Sequence, residues 1–299
     1  MKKSKRVLIG LLIMLVTMLS VLLILLFTGV VDFNPKKTQH VIVDEPVVEP
    51  SPAEKRKEEL KKLWTDNKAI NSDYVGELMF DSGLISVPFV QAKSCYKENG
   101  EMYTFYTEDG RLVTDASGYS GNDVYIWTYW KTGEYDYNDN GGSTFMDYRN
   151  ELEDQNLIVY GHHFSVWNDE TRSKAFTPLE QLLEQENYAA NRNLTLVLGN
   201  EIRHYEIFAV YEFNATQESD FEDLQYWRTN YAYDDYADNE YDPDYYASYI
   251  KNVEARMLYQ TGVKLSTSDK TLTLQTCIGG HAGELFEIVV LKETSTETY

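Results

Sequence analysis

Cysteine is almost absent from this chain: 2 of 299 residues, Cys95 and Cys277. A multi-disulfide framework is therefore excluded, and at most one bridge is open. Positive charge is also sparse, with 27 Lys and Arg against 48 Asp and Glu, a formal net of −21. Such acidity disfavours nucleic acid and anionic lipid headgroups as partners and suits a cationic partner or simple solubility. The chain has no glycine-rich nucleotide-binding loop and no internal repeat. It has five histidines; a zinc site needs convergent Cys and His, and the adjacent pair His162-His163 is too little for one. Disorder is disfavoured as well, because 14% of residues are aromatic and 24 are Tyr, enough for a real core.

One long apolar run is present. Val7 to Val31 carries no charge, and Lys2, Lys3, Lys5 and Arg6 precede it. At roughly 1.5 Å per residue this run can cross a bilayer core of about 30 Å. Phe27-Thr28-Gly29-Val30-Val31 makes a poor cleavage site, so the run reads as an uncleaved anchor. Flanking basic residues keep the N-terminus cytoplasmic and send residues 32–299 outside the cell. The expected organisation is a basic tail (1–6), a transmembrane anchor (7–31), a stalk with Pro35, Pro46 and Pro50 (32–50), and one outer domain (51–299).

The outer domain opens with a helix signal: Ser51 as N-cap, Pro52 in the first turn and Glu54 closing a capping box. Leu60, Leu63 and Trp64 follow at helical spacing. Strands are predicted at Val75–Phe80, Leu84–Gln91, Met102–Thr107, Val124–Trp130, Ser143–Asp147, Leu157–Tyr160, Leu194–Leu198, His204–Phe213 and Thr271–Thr276. Short helices are predicted at Thr177–Asn187 and Asp244–Gly262. Gly, Asn and Asp clusters separate the strands, so the class is mostly β, an antiparallel sheet or closed barrel. Cys95, in "VQAKSCYKENG", reads as a half-buried small side chain before a turn.

Cys277 stands at the end of an alternating run, Leu272 to Thr276, beside two glycines. A thiol near its free pKa of about 8.5 is a poor nucleophile at neutral pH unless an imidazole or cation assists it. "NLIVYGHHFS" supplies the matching element: an apolar strand, a glycine bend, then His162 and His163. If the two strand ends are neighbours, the His162 imidazole meets the thiol, while His163 points elsewhere. Asp136, Asn138, Asn140 and Gly141 open like a calcium loop, but position twelve is Asp147 rather than Glu. Ordinary turn chemistry explains the same residues, and neither metal nor cofactor is expected.

"DYRN" at Asp147–Asn150, "VYGHH" at Val159–His163 and "TLTLQTC" at Thr271–Cys277 resemble the motifs of sortases, class B in particular. "INSDYVGELMF" at Ile70–Phe80 and "VPFVQ" at Val87–Gln91 extend the resemblance over roughly residues 54–292. It implies an eight-stranded β-barrel with an N-terminal helix and short helices in loops, behind one transmembrane helix. It further implies a cysteine transpeptidase at the cell membrane. Cys277 would cleave the C-terminal sorting signal of a secreted protein, His162 would serve as acid and base, and an amine of peptidoglycan or a pilin would accept the acyl group. Thr276 would shape the pocket. The acidic, Tyr-rich stretch Asp220–Tyr249 falls where class B relatives carry a groove-lining loop; a solvated surface loop explains it equally.

One departure stands out. The family carries an arginine about eight to ten residues past the cysteine, to hold substrate and stabilise the oxyanion. No arginine follows Cys277 here, and the best-aligned positions are Glu287 or Leu285. His281, Arg149, Arg203, Arg256 or the N–H groups around Ile278-Gly279-Gly280 are the conceivable substitutes. Two other readings follow: an impaired sortase fold that binds sorting signals without joining them, and a cysteine peptidase that hands the acyl group to water.

Overall fold

A computed structural model describes residues 15–21, 24, 50–92, 95–99, 102–106, 125–126, 128–134, 142–147, 150–164, 174–214, 243–278 and 284–299. The chain forms two units, 1–49 and 50–299. In the first, residues 15–21 are helical, with Leu15, Val16, Met18, Leu19 and Val21 exposed. Among the described residues no helix is long and apolar enough to cross a membrane. Most of the expected anchor, and all of the stalk before Pro50, lie outside them.

The second unit begins with helix α1 (Pro52–Ile70), whose start follows the sequence signal. The Glu54 carboxylate accepts from the Ser51 N–H at 2.6 Å, and the Ser51 hydroxyl accepts from the Glu54 N–H at 3.3 Å. Two orphan donors of the first turn are thereby satisfied. Leu60 is buried against Val197 and Ile202, fixing α1 on the barrel wall.

The strands are β1 (Tyr74–Phe80), β2 (Ser86–Val90), β3 (Cys95–Asn99), β4 (Met102–Tyr106), β5 (Thr144–Met146), β6 (Asn156–Tyr160), β7 (Asn193–Val197), β8 (Glu201–Asn214), β9 (Thr271–Cys277) and β10 (Leu285–Thr298). Eight of them close into a barrel in the order β1-β2-β5-β6-β9-β10-β8-β7, while β3 and β4 form a separate hairpin. The β2–β5 and β6–β9 pairs are parallel and the others antiparallel. Closure leaves no exposed barrel edge.

Alternation sorts the side chains into two layers. Leu78, Leu157, Val159, Leu196, Leu272, Leu274, Val289 and Leu291 fill the interior. Ile158, Tyr211, Phe213, Ile288 and Val290 face outward and are covered by Tyr246, Tyr249, Ile250 and Val253 of helix α3 (Pro243–Arg256). A 3-10 helix (Thr177–Leu183) buries Leu179 and Leu182 in the interior cluster and runs into the short helix α2 (Gln185–Asn191).

Two expectations are corrected, and a third is refined. The described residues of Val124–Trp130 form no strand: residues 125–126 are helical and residue 128 is an isolated bridge. Tyr125 and Trp130 join a small core with Tyr74, Val90 and Phe145, and the Tyr125 hydroxyl donates to Asp73 at 2.6 Å. The alternation thus comes from packing under a loop rather than from a ladder. Cys95 begins β3, paired with Tyr106, and the hairpin turn follows after Asn99. The helix expected over Asp244–Gly262 stops at Arg256, because Tyr259 leaves the outer layer for the interior cluster and donates its hydroxyl to the Leu182 carbonyl at 2.6 Å.

The β6–β9 pair is joined by more than its ladder. The Asn156 side-chain oxygen accepts from the hydroxyls of Thr271 (3.0 Å) and Thr273 (2.8 Å), all three residues being buried. Asn156→Ala removes that acceptor from a dry layer, so stability should fall by about 1–3 kcal/mol. Urea unfolding measures this, and an unchanged midpoint would refute the role.

Candidate active site

Strand β9 carries Cys277 at its last position, half-buried and not in a disulfide. The bridge to Cys95 left open by the sequence is therefore not made. Strand β6 lies alongside in parallel, with Tyr160 level with Gln275. The Gly161 N–H donates to the Gln275 carbonyl at 3.1 Å, and the buried Thr276 hydroxyl donates to the Gly161 carbonyl at 2.8 Å. Continuing this register by two residues sets His162 level with Cys277, on strands about 4.8 Å apart.

Gly161 is required at the bend. A Cβ there would come within 2.6 Å of the ring of the fully buried Phe176. Phe176 in turn donates its N–H to the His162 carbonyl at 3.0 Å. The half-buried imidazole is oriented by its Nε2, 2.8 Å from the Ile126 carbonyl oxygen. A carbonyl only accepts, so Nε2 carries the proton and the neutral ring keeps its lone pair on Nδ1. Burial holds the imidazole below its ordinary value, and the Ile126 bond pulls partly the other way. Burial thus favours the neutral form of the His162 ring. His163 turns away, its side chain buried and its Nε2 2.8 Å from Glu180 Oε2.

On the other side of β9, β10 sets Phe286 opposite Cys277 and Glu287 opposite Thr276. Phe286 therefore shares the outward face of Cys277, and Glu287 belongs to the interior layer. Glu287 is 1% exposed, and neither of its side-chain oxygens has a hydrogen-bond partner. Burial drives its carboxyl well above the usual range, and the negative Glu180 and Glu212 add to this. As a neutral acid on the wrong face, it cannot stand in for a guanidinium beside the thiol. Leu285 has the parity of Glu287, so the position facing the thiol is Phe286, which sequence alignment passed over.

The other substitutes sort as follows. Arg203 is buried, paired with Glu201 (2.5 Å) and donating to the Leu152 carbonyl (2.7 Å). It is level with Thr296, ten residues along β10 from Phe286, about 33 Å at strand rise. Arg256 ends α3 and is outside the row. The Ile278 N–H is committed to the Leu285 carbonyl at 2.9 Å. Arg149, Gly279, Gly280 and His281 lie outside the described residues, as do Asp136–Asn140 of the calcium-like stretch and most of Asp220–Tyr249. Asp147 is buried and accepts from the Tyr160 hydroxyl at 2.8 Å. Among the described residues no group of His, Cys, Asp and Glu suits a metal ion. A cleft of about 550 Å³ beside α1, lined by Leu60, Met79, Ile202 and His204 among others, contains neither Cys277 nor His162.

Relatives carry the same architecture. The chain is 25% identical to sortase B of Listeria monocytogenes over 221 residues, covering 73% of this chain and 68% of that protein. It is 28% identical to sortase B of Staphylococcus aureus over 152 residues, 50% of this chain and 53% of that one. Among solved structures, Clostridium perfringens sortase B superposes with a TM-score of 0.54 at 26% identity, covering 77% of this chain and 99% of that chain. The relatives that this chain matches in sequence and in fold are class B sortases. A Staphylococcus aureus sortase B–substrate complex shares the fold, with a TM-score of 0.57 at 20% identity over 81% of this chain and 89% of that one. No family model matches the chain. The eight-stranded barrel expected from the sortase motifs is the one observed.

The state of Glu287 has a measurable consequence. Below the ordinary value of 4.5 the carboxyl is protonated in both folded and unfolded chains. Above it the unfolded chain ionises while the folded one stays neutral, so stability falls as pH rises. Glu287→Gln removes this dependence. Its stability relative to the unmodified chain should rise by about 1–3 kcal/mol between pH 4 and pH 7. Denaturant midpoints at both pH values test this; a constant difference would contradict a neutral Glu287.

Proposed function

We propose that this protein is a membrane-anchored cysteine transpeptidase acting on the C-terminal sorting signals of secreted proteins. The observation that carries the reading is the register of parallel β6 and β9, with His162 and Cys277 at neighbouring strand ends. The half-buried, neutral imidazole suits the role, because it can take the thiol proton and return it.

In the proposed cycle the Cys277 sulfur attacks the carbonyl carbon of the signal's scissile Thr bond. Protonated His162 then delivers its proton to the departing amine as the C–N bond breaks, leaving a thioester. An amine from peptidoglycan or a pilin attacks that thioester, His162 accepts the amine's proton, the C–S bond breaks, and His162 returns the proton to the Cys277 sulfur. Thr276 acts by positioning, since its hydroxyl holds the bend before His162. The oxyanion donor is drawn from the candidates that remain, Arg149, Arg256 and the Gly279–His281 loop, as Arg203 is remote and Glu287 is interior. Residues 7–31 anchor the chain with its N-terminus in the cytoplasm and the catalytic domain outside.

Phe286 beside the thiol, where a cation is expected, favours one second reading. In it the barrel binds sorting signals without joining them. Full-length protein in detergent, incubated with sorting peptides, separates the two by mass spectrometry. An acyl adduct on Cys277 is expected, absent in Cys277→Ala and formed about 10²–10⁴-fold more slowly in His162→Ala. A folded protein that forms no adduct with any peptide supports the binder. Acylation followed by hydrolysis that added amines do not divert would indicate a peptidase. The anchor is tested by alkaline extraction of membranes: full-length chain should stay with the lipid and a chain lacking residues 7–31 should not. Release of the full-length chain would refute the anchor.

A further inference from the structure

The carbonyl that orients the His162 ring is itself held in a small polar frame. Ile126 stands beside the buried Tyr125, and both join the core under Trp130 and Phe145. The Tyr125 hydroxyl donates to Asp73 at 2.6 Å and accepts from the Asn71 amide at 3.2 Å. Its carbonyl accepts from the Ser143 N–H at 2.9 Å, and the Ser143 hydroxyl donates to the Thr128 carbonyl at 2.6 Å. The carbonyls on either side of Ile126 are thus tied to Ser143, while its own oxygen faces His162 Nε2 at 2.8 Å.

Gly142, just ahead of β5, closes the frame. Its φ is +66°, in the left-handed region. A Cβ there would overlap the Ile126 carbonyl oxygen and lie 2.6 Å from its carbon and 2.7 Å from the Tyr125 oxygen. These are main-chain atoms, so no rotamer change can clear them. Residue 142 therefore meets two demands. Asn also tolerates the left-handed backbone, but only glycine lacks the Cβ.

The consequence is chemical. A neutral imidazole can carry its proton on either nitrogen, and the two forms present the lone pair at different places. The Ile126 carbonyl only accepts, so it selects the Nε2–H form and makes Nδ1 the basic nitrogen. The same bond strengthens when the ring is protonated, since charged donors make stronger hydrogen bonds. It thereby offsets part of the basicity that burial removes.

We infer that Gly142 is a positioning residue for His162: its missing side chain lets the Ile126 carbonyl reach Nε2, which fixes the tautomer with Nδ1 as the base. This rests on the reading of His162 as acid and base of the transfer cycle.

The tautomer can be read with and without peptide transfer. In the first arm, full-length protein in detergent, labelled with ¹⁵N at histidine, is observed by long-range ¹H–¹⁵N correlation, and His162→Gln assigns the resonance. With the ring neutral, His162 of the unmodified chain should be protonated at Nε2 and not at Nδ1. Gly142→Ala should give a mixture of the two tautomers. Gly142→Asn accepts the backbone angle but carries a Cβ, so it should behave like Gly142→Ala. Tyr125→Phe leaves Gly142 in place and removes only the hydroxyl, so mixing should be partial. In the second arm, peptides carrying the scissile Thr acylate Cys277. Both Gly142 variants should do so about 10²-fold more slowly. The loss should fall on the maximal rate rather than on the peptide concentration that gives half of it.

A proton on Nδ1 in the unmodified chain would overturn the inference. So would an unchanged tautomer in folded Gly142→Ala, or full rescue by Asn, which would leave Gly142 a purely conformational residue. Should neither Gly142 variant fold, Tyr125→Phe decides, and an unchanged tautomer there counts against the frame. A tautomer that depends on Gly142, in a protein that no peptide acylates, would uphold the positioning and sink the transfer reading instead.

Discussion

Strands β6 and β9 lie side by side although the residues they bring together, Gly161 and Thr276, are 115 positions apart in the chain. No local turn can enforce this, since parallel neighbours need a long crossover. The pairing is held instead by buried polar contacts, Asn156 receiving two threonine hydroxyls and Thr276 reaching the Gly161 carbonyl. In a dry layer each of these groups is costly to leave unmatched, so the register is tightly specified. A slip of one residue would turn Cys277 into the barrel and an interior side chain out. The relation of His162 to Cys277 is therefore a product of register.

The same parity rule explains why β10 carries opposite chemistry on adjacent residues. Phe286 joins the outward row with the thiol, while Glu287 enters the interior beside Thr276. A carboxyl without hydrogen-bond partners is tolerated there by remaining protonated, which burial and nearby carboxylates both favour. Phe286 obeys the simpler logic of its layer, where aromatic and aliphatic side chains of β8, β10 and α3 exclude water. The β10 side chain opposite the thiol is thus apolar for the same reason that the helix docks.

Much of the fold was legible because its strands alternate cleanly and its first helix carries its own cap. The α1 start, β6, β8 and β9 fall within a few residues of their expected positions. The stretch around Tyr125 and Trp130 misled, since aromatic packing beneath a loop mimics strand alternation. The long helix expected after Asp244 ended early, because tertiary burial of Tyr259 outweighed helical periodicity. Cys277 and His162 were legible as strand-end residues following glycine or preceding it. Phe286 was not, because charge matching drew attention to its neighbours and only a ladder tells which of three adjacent residues faces a given thiol.

The sequence alone settled which residues carry reactive groups and which segments can bury apolar surface, since composition and periodicity are local properties. It also determined that the chain is acidic and that no arginine follows Cys277. Tertiary structure alone decided which side chains share a face. It brought the end of β6, two residues before His162, alongside the strand that ends in Cys277, sent Glu287 inward and left Phe286 opposite the cysteine. The physical reason is that inward or outward direction in a sheet depends on pairing between distant strands, which no local pattern encodes.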